Sequence, residues 1–228
     1  MTMPFYVSPE QVMKDRADYA RKGIARGRSL VALEYAGGIV IVAENPSRTL
    51  FKISEVYDRI AFAGVGKYNE FQMLKIAGVR LADVKGYQYS REDVTANSLA
   101  NAYAQTLGQV FTHEMKPYEV EILVAQVGTD EHPENELFHI LYDGTVMDEE
   151  HYTVLGGQAE TISEQLGEQY AEGLELGPAV RLGAKLLSSA DEEPLSEGQL
   201  EVGVLERARP RRAFRRIKGE ELVGLLAG

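Results

Sequence analysis

Cysteine is absent from the 228 residues, which removes disulfides, thiolate metal sites and thiol nucleophiles together and suits a cytoplasmic protein. Positive charge is also scarce. The 24 Lys and Arg face 35 Asp and Glu, a formal net charge of -11, so neither a general nucleic-acid binder nor an anionic-membrane binder is expected. No apolar run is long enough to cross a bilayer. The amino terminus lacks the basic segment and continuous apolar stretch of a signal peptide, so export is not expected. His113, His132, His139 and His151 form no HExxH or other metal spacing; loop or surface positions account for most of them, and no metal or cofactor is expected. No Pro/Gly/Ser-rich linker divides the chain, which predicts one globular domain with a large core.

What is present begins with a capped amphipathic helix from Ser8 to about Gly27. Ser8 suits the N-cap, Pro9 the first helical position, and Gln11 the reciprocal position of a capping box. Met13, Ala17, Ala20 and Ile24 recur at helical spacing opposite Lys14, Asp15, Arg21 and Lys22. Met1 to Val7 precede the helix as an uncharged apolar-aromatic tail.

Strands and helices then follow in blocks. Leu30 to Tyr35 and Ile39 to Ala43 form a hairpin around Ala36-Gly37-Gly38, and Leu50 to Ile53 and Ile60 to Val65 read as further strands. Helices are predicted over Tyr68 to Asp83 and Val94 to about Glu114, the second stopped by Pro117. Glu121 to Val127, Leu137 to Tyr142 and Tyr152 to Leu155 read as strands, with a turn at Asp143-Gly144. Helices at about Glu160 to Glu172 and Pro178 to Ser189, a strand at Leu200 to Glu206 and a short helix at Glu220 to Ala227 complete the chain. Two sheets, each with its own antiparallel helix pair, predict an α+β fold, a four-layer αββα sandwich with an extra N-terminal helix.

Single motifs are weak. Gly64-Val65-Gly66-Lys67 has the wrong spacing for a phosphate loop and reads as a strand-to-helix turn. Asp148-Glu149-Glu150 and Asp191-Glu192-Glu193 read as solvated loop charges. The run Arg207, Arg209, Arg211, Arg212, Arg215, Arg216 and Lys218 has only Phe214 as an interleaved aromatic, so it reads as a strand-edge surface or subunit contact rather than a nucleic-acid site.

Taken together and in order, several segments carry a resemblance. They are Ser8-Pro9-Glu10-Gln11, residues 20–26, Tyr35-Ala36-Gly37-Gly38, residues 43–48, Lys52-Ile53-Ser54-Glu55, Tyr57-Asp58-Arg59, residues 116–121 and residues 209–217. Over essentially the whole chain the sequence resembles the α subunits of the actinobacterial proteasome core particle, within the Ntn-hydrolase superfamily. The resemblance implies heptameric rings of α subunits that cap rings of β subunits. It also implies that Thr2, Met3, Pro4, Phe5 and Tyr6 gate an axial pore, and that Lys52 receives the carboxy-terminal tail of an activating AAA ATPase ring. Unfolded proteins tagged with a prokaryotic ubiquitin-like protein are the implied substrates.

Catalysis in that superfamily needs a free amino-terminal nucleophile whose α-amine acts as base. Here the first strand starts Arg28-Ser29-Leu30, behind a whole helix. The resemblance places Thr49, just before Leu50-Phe51, where active relatives carry a lysine, and Glu44 near their acidic residue. The implication is a chain inactive on its own, with segments 1–7 as gating tail, 8–27 as helix and 28–228 as the sandwich domain. The competing expectation is a catalytically active, self-compartmentalising Ntn-type peptidase.

Overall fold

Alternation along the strands decides the layers. In the hairpin of β1 (Leu30–Tyr35) and β2 (Gly38–Glu44), Leu30, Ala32, Ile39, Ile41 and Ala43 face one side, while Val31, Leu33, Val40 and Val42 face the other. Both sides are apolar, so both must be covered. The same double pattern recurs in β4 (Ile60–Gly66), where Ala61, Ala63 and Val65 oppose Ile60 and Phe62.

The computed structural model describes residues 8–129, 131–188 and 195–228. The expected gate residues Thr2, Met3, Pro4, Phe5 and Tyr6, and the acidic group Asp191-Glu192-Glu193, lie outside them. Among the described residues the strands form two five-stranded antiparallel sheets. One has the order β10-β9-β2-β1-β8, with β8 Tyr152–Leu155, β9 Leu200–Glu206 and β10 Phe214–Ile217. The other runs β3-β4-β5-β6-β7, with β3 Ile53–Tyr57, β5 Val120–Gln126, β6 Glu136–Ile140 and β7 Val146–Glu149. The inner faces meet in a core rich in small side chains, Ala32, Ala43, Ala61, Ala63 and Ala125 among them. The outer face of the first sheet packs on α4 (Ala159–Gln169), α5 (Leu176–Ser188) and α6 (Glu220–Ala227). That of the second packs on α2 (Tyr68–Gln88) and α3 (Ala96–His113). The four layers are those predicted.

The extra helix, α1 (Pro9–Ile24), lies across the open end of the sandwich against β4 and β5. Ser8 caps it by accepting from Gln11 N at 3.2 Å, but the Gln11 side chain donates forward to Asp15 Oδ1 at 2.6 Å, so the box is not closed. Only the C-terminal part of its stripe is covered: Ala20 and Ile24 are buried, Ala17 is half-buried and Met13 is exposed. Arg16 fixes its direction. Its guanidinium donates to the carbonyls of Phe111, Val110 and Glu114 at 2.7, 3.1 and 2.5 Å, gathering acceptors at the end of α3, where Val110 O also accepts from Glu114 N.

Several boundaries differ from those predicted. The strand expected over Leu50 to Ile53 is instead Ile53–Tyr57, because Asn45 and Ser47 side chains hold residues 45–50 in a turn. Helix α2 runs to Gln88, five residues beyond the predicted end, since nothing after Asp83 breaks it. Two edge strands were not predicted. Asp148 and Glu149, read as loop charges, belong to β7, and the middle of the basic run forms β10. Edge strands tolerate charge on their open side, which hides them from a hydrophobic pattern.

Candidate functional site

The covered end of the sandwich collects the start of β1, the end of β2, and the starts of β3 and β9. Arg28 stands immediately before Ser29 and β1, its side chain ion-paired with Glu44, the last residue of β2. Ser29 is buried, and its carbonyl accepts from Glu44 N at 3.2 Å. Across the gap between sheets, Lys52 Nζ donates to the carbonyl of Arg28 at 2.5 Å. A lysine and a carboxylate therefore converge on the residue at the head of the first strand.

Thr49 does not reach the strand start. It is exposed on the turn, and the lysine that reaches the strand start is Lys52, three residues later. Glu44 is tied to Arg28.

The Lys52 ammonium is half-buried, and among the described residues no carboxylate lies within ion-pair distance of it. Burial lowers its pKa to about 8; the charge of Glu201 works against that shift and the charge of Arg28 adds to it. Glu201, 6% exposed, is engaged elsewhere. Its carboxylate accepts from Asn45 Nδ2 at 2.7 Å, Lys52 N at 2.8 Å and Ile53 N at 3.1 Å, and pairs with Arg216 of β10. Arg216 also donates to Ile53 O at 2.7 Å and lies 4.1 Å from the ring centre of Phe51. Glu201 and Arg216 thus stitch the first sheet to the edge of the second. Sequence reasoning missed Glu201 and read Arg216 only as part of a strand-edge surface or subunit contact. Strand parity gave a signal for Glu201, the charged neighbour of outward-facing Leu200 and Val202 and so aimed between the sheets.

Helix α1 closes this end from above. A side chain at Gly27 would meet Gly66 N at 2.9 Å, and one at Gly157 would meet Ala25 O at 2.5 Å, so backbone packs on backbone. A cavity of about 270 Å³ remains beside the strand start, lined by Arg26, Gly27, Arg28, Ser29, Glu44 and Gln158 among others. A second depression, of about 350 Å³, lies on the other flank of the Arg26-Gly27 backbone, beside Tyr19, Gly66, Lys67 and Glu119. Nearby, buried Glu70 accepts from Lys116 Nζ and Glu119 N, both at 2.7 Å.

Gly64-Val65-Gly66-Lys67 is the strand-to-helix turn expected, with Gly66 at φ 102. The basic run is largely neutralised within the chain. Arg209 and Arg215 both pair with Glu206, Arg215 also with Glu221, Arg216 with Glu201 and Arg212 with Glu55. His139 is not at the surface as most of the histidines were expected to be; it is buried between the sheets. Among the described residues no group of three or more His, Asp or Glu could hold a metal, and no helix is long and apolar enough to cross a membrane.

A free α-amine is what terminal-nucleophile chemistry requires at the head of β1. Here that nitrogen lies in the Gly27–Arg28 peptide bond, the side chain is an arginine locked to Glu44, and a helix crosses the approach. The class is therefore an Ntn-type αββα sandwich with its nucleophile position filled and covered. The proteasome subunit family model matches residues 24–205. The chain is 58% identical over 228 residues to proteasome subunit alpha of Saccharopolyspora erythraea, covering 99% of this chain and 89% of the relative. Proteasome subunit alpha of Xylanimonas cellulosilytica is 60% identical over 232 residues, covering 97% of this chain and 95% of the relative. That of Acidimicrobium ferrooxidans is 61% identical over 224 residues, again with 97% and 95% covered. The chain belongs to the proteasome subunit family, as a non-catalytic alpha subunit of the core particle, and its assembly is with other proteasome subunits.

Proposed function

We propose that this subunit forms the outer heptameric ring of a cytoplasmic proteasome core particle, gates entry to a chamber of β-subunit active sites and docks an activating ATPase ring. The observation that carries the inert role is the head of β1, where Arg28 is internal, peptide-bonded and paired with Glu44. Assembly is supported by apolar surface left open on two helices. Met73, Ile76, Val84 and Tyr87 are exposed along one stripe of α2, and Val12, Met13 and Tyr19 along α1.

The gate role is assigned to Thr2, Met3, Pro4, Phe5 and Tyr6 from their composition and their place ahead of α1. Several copies of a small apolar-aromatic tail meeting on an axis can bury one another. Docking is assigned to Lys52. Among the described residues its half-buried ammonium holds only a backbone carbonyl, so an incoming terminal carboxylate would supply the counter-charge that burial leaves missing. The family context makes proteins tagged with a prokaryotic ubiquitin-like protein the expected cargo.

The test is reconstitution with β subunits. Deleting residues 2–6 should raise peptide hydrolysis by the complete particle, and an unchanged rate refutes the gate. Lys52→Ala should abolish stimulation by the ATPase while sparing basal peptide hydrolysis; stimulation that survives intact means the docking residue lies elsewhere. Peptide turnover by the subunit alone would overturn the inert role.

A further inference from the structure

Two histidines flank the segment that carries the chain from one sheet to the other. His139 of β6 is 6% exposed and faces the space between the sheets, as Leu137 does on the same strand. Its Nε2 lies 3.5 Å from Glu121 Oε2 on β5, and its Nδ1 lies 3.8 Å from Glu149 Oε1 on β7. Glu121 Oε2 also accepts from Gly156 N at 3.3 Å, just past the end of β8 in the other sheet. A chain of contacts thus runs from β7 through the imidazole to β5 and across to the first sheet.

His151 stands in the crossing itself, between β7 and β8, at φ 64. That left-handed conformation costs a residue with a Cβ roughly 1 kcal/mol or more, so it needs support. The support is electrostatic and aromatic. Nδ1 is 3.2 Å from Glu34 Oε2 on β1, Nε2 is 3.5 Å from Glu172 Oε1 beyond α4, and the ring stacks on Tyr170 with centroids 6.1 Å apart. Glu150 adds a further negative charge beside it.

We propose that His139 and His151 form a protonation-controlled clasp on the β7–β8 crossing: as imidazolium ions they tie it to β5, β1 and the segment after α4, and loss of their protons releases it. Each ring lies between two carboxylates from different elements, so loss of its proton removes the positive charge that faces them, leaving Glu121 with Gly156 N and Glu34 with Asn135 Nδ2 at 2.8 Å. Burial alone would push the His139 imidazole down, but the nearby carboxylates of Glu121 and Glu149 outweigh it and hold the pKa above the usual histidine range. For His151 the hydrogen bond to Glu34 is the main cause of a shift in the same direction. Groups raised in this way contribute stability that is complete below the ordinary histidine pKa and fades as pH rises through the raised values.

The experiment uses the full chain. Histidine C2-hydrogen exchange, read by mass spectrometry, reports the titration of each imidazole. Backbone exchange of residues 146–155, corrected for the intrinsic pH effect, reports opening of the crossing. The opening constant should rise with pH between the ordinary histidine pKa and the raised values, by up to about tenfold per pH unit for each imidazole that loses its proton on opening, and level off above them. His139→Gln with His151→Gln should flatten that slope. Imidazoles that titrate at or below the ordinary histidine value overturn the clasp. A slope that persists in the double variant does so as well; should that variant not fold, the wild-type titration decides alone.

Discussion

Removing the Glu201 carboxylate tests whether the covered end of the sandwich is a structural stitch. Glu201→Ala strands the Arg216 guanidinium and leaves Lys52 N, Ile53 N and the Asn45 amide without their acceptor. The Glu201 side chain is only 5% exposed and that of Arg216 22%, so water replaces little of what is lost. Breaking a buried ion pair from one side costs about 3–5 kcal/mol. For a chain of this size each kcal/mol moves Tm by about 2–4 °C, so the expected fall is roughly 6–20 °C. Glu201→Gln keeps an acceptor but loses the charge, and should lose about 1.5–3 kcal/mol. The assay is thermal unfolding at one fixed protein concentration, because assembly makes Tm concentration-dependent. Glu55→Ala serves as control: its partner Arg212 is 81% exposed, and the pair should be worth no more than about 1 kcal/mol. A Glu201→Ala variant that melts within a degree or so of Glu55→Ala refutes the stitch.

Three further predictions rest on particular contacts. Gly78→Ala would put a methyl 1.7 Å from Tyr103 Oη and 2.5 Å from its Cζ, costing about 1–3 kcal/mol by overpacking, and adding Tyr103→Phe should recover only part of it in a chemical-denaturation double-mutant cycle, because the ring carbon remains. Tyr103→Phe alone should be near neutral, since that hydroxyl is buried without a hydrogen-bond partner among the described residues. Arg16→Ala should cost about 1.5–3 kcal/mol and expose the end of α3 to hydrogen exchange, with Arg16→Lys a poor rescue because one ammonium cannot span three carbonyls. With Lys52 at a pKa of about 8, ATPase stimulation should fall as pH rises past that value while basal peptide hydrolysis does not follow; a flat ratio between pH 7 and pH 9 counts against Lys52 as the carboxylate partner.

The sandwich was legible in the sequence because its central strands are apolar on both faces and its helices keep a 3.6-residue period. Leu30 to Ala43 needed only the Gly37-Gly38 turn to be placed. Edge strand β8 was legible as well, but the charged edges were not: β7 carries Asp148 and Glu149, and β10 carries Arg215 and Arg216, residues that a pattern search assigns to loops. At the site, Lys52 and Glu44 could be named from the resemblance, but their partners could not. The Lys52–Arg28 and Glu201–Arg216 contacts join residues 24 and 15 positions apart, across strands whose mutual placement only the folded chain defines.

That network explains why a chain without a nucleophile keeps a lysine and a carboxylate at the head of its first strand. Glu44 neutralises Arg28, which would otherwise place a lone cation beside the half-buried Lys52. Lys52 fastens the Arg28 carbonyl, just ahead of β1, to the start of β3, so it bridges the two sheets at the end that α1 covers. Both residues therefore have structural work that needs no catalysis. The residual imbalance is charge: the Glu201 carboxylate is saturated by four donors and offers Lys52 only a distant field. A half-buried ammonium held, among the described residues, by a carbonyl alone is costly, and a carboxylate brought to it from outside recovers part of that cost as binding free energy. A free peptide carboxylate should thus protect Lys52 from acylation more strongly than its amide does, and equal protection by the two would remove charge pairing from the docking mechanism.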